Sequence, residues 1–170
     1  MKILRLSDVE APLCFDCGDC DLNEFLLKDA QLYEDEFLAH TYVIVNENEI
    51  VAYFSVLADK VSRSLVPKNV WRKLGKKIPH EKHFNSYPAL KIARLAVNKR
   101  YRGQEIGTNI IQSIAHRSAQ SSEFMACRFL TVDAYKTARQ FYLKNDFVPL
   151  INEEDSNSNT IPMYMDLKEL

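Results

Sequence analysis

Four glycines in 170 residues leave little room for flexible connectors, and no Gly- or Ser-rich linker interrupts the chain. No internal repeat appears either, and a chain of this length fits one domain with a sizeable core, so residues 1–170 are expected to form a single domain. Long apolar runs are also missing. None approaches the roughly 20 residues needed to span a bilayer. The first residues, MKILRLSDVE, lack an apolar segment followed by a small-residue cleavage site, so a cytoplasmic protein without membrane attachment is expected. Cysteine is sparse as well. Cys14, Cys17 and Cys20 are spaced C-x-x-C-x-x-C and Cys127 stands alone, without the second pair that a zinc site commonly uses. Unpaired, reduced thiols and no metal are the expectation.

Net charge is nearly absent, at −1, but this balance hides an asymmetry. Between residues 60 and 82 stand eight cations (Lys60, Arg63, Lys68, Arg72, Lys73, Lys76, Lys77, Lys82) against the single acid Glu81. The rest of the chain holds the other 14 basic and 22 acidic residues, a net −8 against +7 here. A solvated excursion between strands explains the stretch as well as an anion-binding patch does. Pro67 can open a short helix there through Val70, Trp71 and Leu74, ended by Gly75.

What is present centres on residues 91–119, KIARLAVNKRYRGQEIGTNIIQSIAHRSA. Ile92, Leu95, Ala96 and Val97 make an apolar strand pattern. A polar turn containing Gly103 and Gly107 comes next. Then Ile106, Ile110, Ile111, Ile114 and Ala115 fall along one side of a helix. The first turn of a helix carries free N–H groups and the positive end of the helix dipole, and glycine permits close approach, so a phosphate can sit there. The P-loop pattern Gly-Lys-Ser/Thr fails, because Ile106, Gly107 and Thr108 stand at the helix start, and a G-x-G-x-x-G run is absent.

The stretch resembles the acetyl-coenzyme A loop of the GNAT superfamily of N-acetyltransferases, whose signature R/Q-x-x-G-x-G/A comes after a strand often written R-L-A-V. Arg94, Leu95, Ala96 and Val97 match the strand; Arg102, Gly103, Gln104, Ile106 and Gly107 fall in the loop, and Glu105 takes the place of the central glycine. A second signature, N-x-x-A-x-x-F-Y-x-x-x-G-F, is matched by Ala138, Phe141, Tyr142 and Phe147, with Tyr135 for the asparagine and Asp146 for the glycine. Near the N-terminus, Phe15, Cys17, Gly18, Leu22, Phe25 and Leu26 are similar to a GNAT subgroup in which some members are toxins that acetylate aminoacyl-tRNA.

The resemblance implies an α/β (α+β) fold, a mixed, mostly antiparallel twisted sheet flanked by helices, with central strands that splay apart. It implies acetyl-coenzyme A as cosubstrate and direct acetyl transfer to a primary amine. The backbone of Leu95, Ala96 and Val97 would hold the pantetheine arm, and the N–H groups from Arg102 through Gly103, Gln104, Glu105, Ile106 and Gly107 to Thr108 the pyrophosphate. Tyr142 would be the acid that protonates the leaving thiolate; an unperturbed phenol has a pKa near 10, close to that of an alkyl thiol. The base is not identifiable, since Lys91 stands about where some members carry a glutamate. Three functions stay open: a general N-acetyltransferase, favoured; a toxin-like enzyme acting on aminoacyl-tRNA, its tRNA held by the basic stretch; and a degenerate member that binds coenzyme without catalysis. Self-association as a homodimer is compatible with all three.

The local patterns predict a first strand over 2–6 and an amphipathic helix from a capping box at Asp21 and Glu24 through Leu22, Phe25, Leu26, Ala30, Tyr33 and Phe37. They also predict a hairpin of TYVIV and EIVAYFSVLA turning at Asn46-Glu47-Asn48, and strands in CRFLTVDA and IPMYMDL.

Overall fold

Alternating apolar and β-branched residues put the chain's strands where its patterning predicts them, and the longest, Glu49–Ser62, carries the unbroken run IVAYFSV. The computed structural model describes residues 1–9, 14–47, 49–76, 78, 84–120, 126–152 and 158–170. Seven strands, β1 (Lys2–Arg5), β2 (His40–Asn46), β3 (Glu49–Ser62), β4 (Ser86–Val97), β5 (Phe129–Tyr135), β6 (Val148–Pro149) and β7 (Thr160–Asp166), form one sheet in the order β1-β2-β3-β4-β5-β7-β6. The pairs β1–β2, β2–β3, β5–β7 and β6–β7 are antiparallel. The helices are α1 (Cys20–Glu24), α2 (Ala30–Asp35), α3 (Lys68–Gly75), α4 (Ile106–Gln120) and α5 (Arg139–Lys144). The expected mixed, mostly antiparallel α/β architecture is therefore observed. Asn48 of the hairpin turn, Lys77, Glu81 and Lys82 of the basic stretch, and residues 153–157 of the acidic loop lie outside the described residues.

The chain divides into two compact units, Met1–Leu57 with Ile92–Gln112, and Ala58–Lys91 with Ser113–Leu170. In the first, Tyr53 is the hub. Its fully buried ring meets Phe15 edge-on at 5.3 Å and stacks on Phe25 at 6.3 Å, and its hydroxyl donates to the Leu22 carbonyl at 2.7 Å. Leu6, Leu26, Ala30, Val43, Ile50 and Ala96 close around it. A bulge between Ile44 and Val45 shifts the β2–β3 register. Two hydroxyls buried in that hairpin, Thr41 and Ser55, satisfy each other at 2.7 Å.

The N-terminal helix departs from expectation in two ways. Asp19, not Asp21, is its N-cap, its carboxylate accepting the Leu22 N–H at 3.2 Å, so the helix starts earlier and Glu24 pairs with Lys28 one turn on. Second, residues Phe25–Asp29 form a π turn between α1 and α2. A π turn takes up an additional residue, so the inward face slips by about one position. Beyond Ala30 it is Glu34 that points inward, ion-paired with Arg5, while Tyr33 is largely exposed and Phe37 lies outside the helix in solvent.

Aromatic stacking organises the second unit. Trp71 of α3 lies flat on Tyr87 at 4.6 Å, Tyr87 meets Phe129 at 6.1 Å, and Phe129 meets Tyr164 edge-on at 5.6 Å. Leu74, Val61, Val66, Ala89 and Leu150 complete this core. Pro67 stands at the N-cap of α3 and Gly75 is its last residue, as the sequence predicts.

Candidate active site

Residues Leu95 to Thr108 form one continuous device within the first unit. Strand β4 ends at Val97, with Ala96 buried and Leu95 and Val97 half-buried. Asn98, buried at the strand's end, locks the turn after it. Its backbone N–H donates to Val51 and its amide to Ile50, and its Oδ1 accepts the Arg100 N–H at 3.1 Å. Glu49 then receives Arg100 at 3.0 Å and the Tyr101 hydroxyl at 2.9 Å, a bond that raises the Tyr101 pKa.

From this anchor the chain runs exposed through Arg102, Gly103, Gln104 and Glu105 into α4. Gly103 has φ +79°, which only glycine adopts without penalty. Glu105 has φ +56°. The residue that replaces the signature's central glycine thus holds the left-handed backbone a glycine would supply, and the loop keeps its shape despite the side chain. The Glu105 carbonyl accepts the Asn109 N–H at 2.9 Å, the first helical bond. The N–H groups of Ile106, Gly107 and Thr108 therefore fall in the helix's opening turn, which has no intrahelical acceptor. Free amides at a helix N-terminus are the kind of group that takes an anion, and the exposed Glu105 carboxylate beside them opposes one.

A second set of residues, which sequence reasoning did not connect to this loop, braces it from the N-terminal segment. The Arg102 guanidinium donates to the Cys17 carbonyl, so this signature arginine is committed to the protein's own backbone. The Lys99 N–H donates to the Asp16 carbonyl at 3.0 Å and its ammonium meets the Asp16 carboxylate at 2.5 Å. Asp16 also accepts the Gly18 N–H at 2.8 Å and the Asn23 amide at 3.2 Å, while the Asn23 Oδ1 takes the Cys17 N–H at 2.9 Å. The Lys99 bond, then those of Gly18 and Asn23, hold the Asp16 pKa down at about 2. Gly18 turns the segment at φ +81°, a conformation that L side chains rarely adopt, whereas the space beside it, with the Arg102 guanidinium 3.8 Å from an ideal Cβ, would admit one. The signal was present in D-C-G-D, a run typical of Asx turns.

Tyr142 belongs to the second unit. It lies on α5, buried, with Phe141 edge-on at 5.1 Å and Phe147 at 5.4 Å. Burial raises its pKa above the ordinary phenol value, and so above the alkyl-thiol value that a free phenol matches. The helix closes at Asp146, φ +63°, again in the left-handed conformation of the glycine it replaces, and the Asn145 amide caps the Phe141 carbonyl at 2.8 Å. In the same unit Lys91 is ion-paired with Asp133. Asp59 accepts the Thr131 hydroxyl at 2.5 Å. On α3, Lys68, Arg72 and Lys73 are exposed, as is Lys76 at its C-cap, while Leu74 is buried.

A strand, a glycine-bearing turn and a helix N-terminus in the first unit, and a buried tyrosine on α5 in the second, are the features that the two acetyltransferase signatures mark in the sequence. The sequence profile of the acetyltransferase (GNAT) domain matches residues 82–167, and the chain belongs to that family: it is an acetyl-coenzyme A-dependent N-acetyltransferase with an amine acceptor. Among curated proteins it is similar to a tRNA-acetylating toxin of Mycobacterium tuberculosis, 23% identical over 144 residues that cover 84% of this chain and 81% of the relative. Among solved structures it resembles a tyrosine-to-phenylalanine mutant of KacT, with a TM-score of 0.78, 24% identity and coverage of 99% of this chain and 95% of the other. It also resembles AtaT complexed with acetyl-methionyl-tRNAfMet, with a TM-score of 0.77, 23% identity and the same coverage. At these identities the likeness is one of fold. No described helix is long and apolar enough to cross a membrane.

Proposed function

We propose that the chain acetylates the α-amino group of aminoacyl-tRNA, with the tRNA backbone held by α3. The observation that carries this reading is the exposed face of α3, where Lys68, Arg72 and Lys73 stand with no acid in the helix and Lys76 follows at its C-cap. Three cations on one short helix and a fourth at its end, turned outward by the docking of Trp71 and Leu74, suit a polyanion better than a small amine. The activities in the names of the M. tuberculosis toxin and of AtaT support it.

In this reading the backbone of Leu95–Val97 holds the pantetheine arm, and the amides from Arg102 to Thr108 hold the pyrophosphate. Bound acetyl-coenzyme A supplies an activated thioester. Tyr142 donates its proton to the departing sulfur; burial makes it a weaker acid than a free phenol, so this transfer is uphill in the empty site and is matched only when the bound substrates change the tyrosine's surroundings. No dedicated base is required. An α-amino group titrates near 8, far below a lysine, so an appreciable fraction reaches the site neutral at physiological pH. That agrees with Lys91 being tied to Asp133 where some family members place a glutamate.

Charge reversal tests the acceptor. Arg72, Lys73 and Lys76 changed together to glutamate should abolish acetylation of purified aminoacyl-tRNA while coenzyme affinity holds. Binding of tRNA to the unmodified chain should weaken steeply between ~50 and ~200 mM salt, and this dependence should flatten by about one unit of log–log slope for each phosphate that is no longer neutralised. Turnover of a polyamine or peptide amine, indifferent to salt and to the reversal, with no acetylation of aminoacyl-tRNA, would replace this acceptor with a small amine.

A further inference from the structure

The geometry points to a docking knuckle at the C-terminal end of α2, residues 32–38, that receives a basic, apolar-bearing segment of another polypeptide. Four large side chains stand out along the last turn of α2 and the three residues after it: Leu32 is 61% exposed, Tyr33 43%, Phe37 89% and Leu38 57%. The backbone fixes them close together, since the Leu38 and Ala39 N–H groups both return to the Tyr33 carbonyl and the Phe37 N–H to that of Glu34. Tyr33 is anchored from below, edge-on to buried Phe25 at 5.5 Å.

Phe37 is the revealing residue. It sits at φ +56°, where an L side chain is strained and where helices ordinarily end in glycine or asparagine. A strained position is kept where something compensates. With nine-tenths of its surface in solvent, Phe37 recovers little of that strain from packing within the chain. A partner burying the ring would supply the compensation, and exposed aromatic side chains are favoured anchors of interfaces.

Charge selects the partner. Residues 14–39 contain eight acids (Asp16, Asp19, Asp21, Glu24, Asp29, Glu34, Asp35, Glu36) and one base, Lys28. Asp35 and Glu36, on the knuckle itself, are exposed. Asp16, Glu24 and Glu34 are ion-paired with Lys99, Lys28 and Arg5; the other acids, Asp19, Asp21, Asp29, Asp35 and Glu36, set a field that repels nucleic acid and anionic lipid and attracts lysine- and arginine-bearing chains. An amphipathic segment with apolar residues on one side and cations on its rim fits both features. This inference is independent of which acceptor the enzyme acetylates.

The probe is a fluorescein-labelled amphipathic peptide of leucine and lysine, with a leucine–glutamate peptide of the same pattern as control, titrated with the full chain at ~150 mM salt, where charge attraction still reaches about 8 Å, and read by anisotropy. The lysine peptide should bind and the glutamate peptide should not. Phe37→Gly should weaken binding at least ~10-fold while raising Tm by roughly 2 °C, because glycine relieves the left-handed residue. Asp35→Lys with Glu36→Lys should weaken binding without lowering Tm. Equal binding of both peptides, unchanged affinity in Phe37→Gly, or a lowered Tm in that variant would overturn the proposal. So would sedimentation showing a dimer that Phe37→Gly dissociates, which would assign the knuckle to a second copy of the chain.

Discussion

Replacing Glu105 by glycine separates backbone strain from charge at the coenzyme loop. In the folded chain Glu105 holds φ +56°, a conformation that costs a non-glycine residue about 1–2 kcal/mol. Glycine removes that penalty but adds about 0.5–1 kcal/mol of unfolded-chain entropy. The net gain is about 0.5–1 kcal/mol, a rise in Tm of roughly 2 °C for a chain of this size. The second effect is electrostatic. An exposed carboxylate several ångströms from a pyrophosphate repels it by about 1 kcal/mol in dilute salt, which corresponds to ~5-fold in affinity. At ~0.5 M salt the screening length falls to a few ångströms and most of that difference should vanish. Calorimetric titration of coenzyme A at ~20 mM and ~0.5 M salt reads the charge, and thermal unfolding of the free chain reads the strain. Weaker coenzyme binding together with a lower Tm would refute the reasoning and give the Glu105 side chain a constructive role. Tighter binding that persists at high salt would leave the backbone gain standing and remove the electrostatic one.

Three further outcomes are expected. Tyr142→Phe keeps the ring between Phe141 and Phe147 and removes the hydroxyl; kcat should fall about 10²-fold or more with coenzyme affinity nearly unchanged, and full activity would reduce Tyr142 to packing. Tyr53→Phe strands the Leu22 carbonyl in the first unit's core and should destabilise the chain by about 1–3 kcal/mol in denaturant titration; a neutral result would mean that water satisfies it. For Asp16, the folded pKa near 2 lies below the unfolded value, so its contribution is complete above about pH 4 and disappears as pH falls toward 2. The Tm gap between the unmodified chain and Asp16→Asn should therefore close over that window, and coenzyme KM should rise in Asp16→Asn at neutral pH as the brace on Lys99 loosens. A gap constant from about pH 6 to about pH 2 would rule out the ionised carboxylate as its source.

Local pattern determined much of this protein. Period-two runs placed the strands, the isoleucine spacing placed α4, and the two signatures located the turn from Arg102 to Gly107 and helix α5, because each depends on residues within a few positions of one another. Of the two replaced glycines, only the Asp146 position was readable as one needing a left-handed backbone; the structure shows that Glu105 adopts it too.

Tertiary structure decided what depends on distant partners. The phase of the N-terminal helix was set by a π turn, which turns Glu34 inward to Arg5 and leaves Phe37 in solvent, although periodicity assigned Phe37 to the core. Arg102 reads in the sequence as part of the phosphate loop; only the fold brings the Cys17 carbonyl to it, 85 residues away in the chain. Asp16 and Lys99, Asn98 and Ile50, and Glu49 and Tyr101 are likewise unremarkable polar residues until the strands pair. The physical reason is common to all of them. Helix and strand propensity act over a few residues, whereas a hydrogen bond or ion pair has a defined strength only once burial and geometry have been fixed by the rest of the chain.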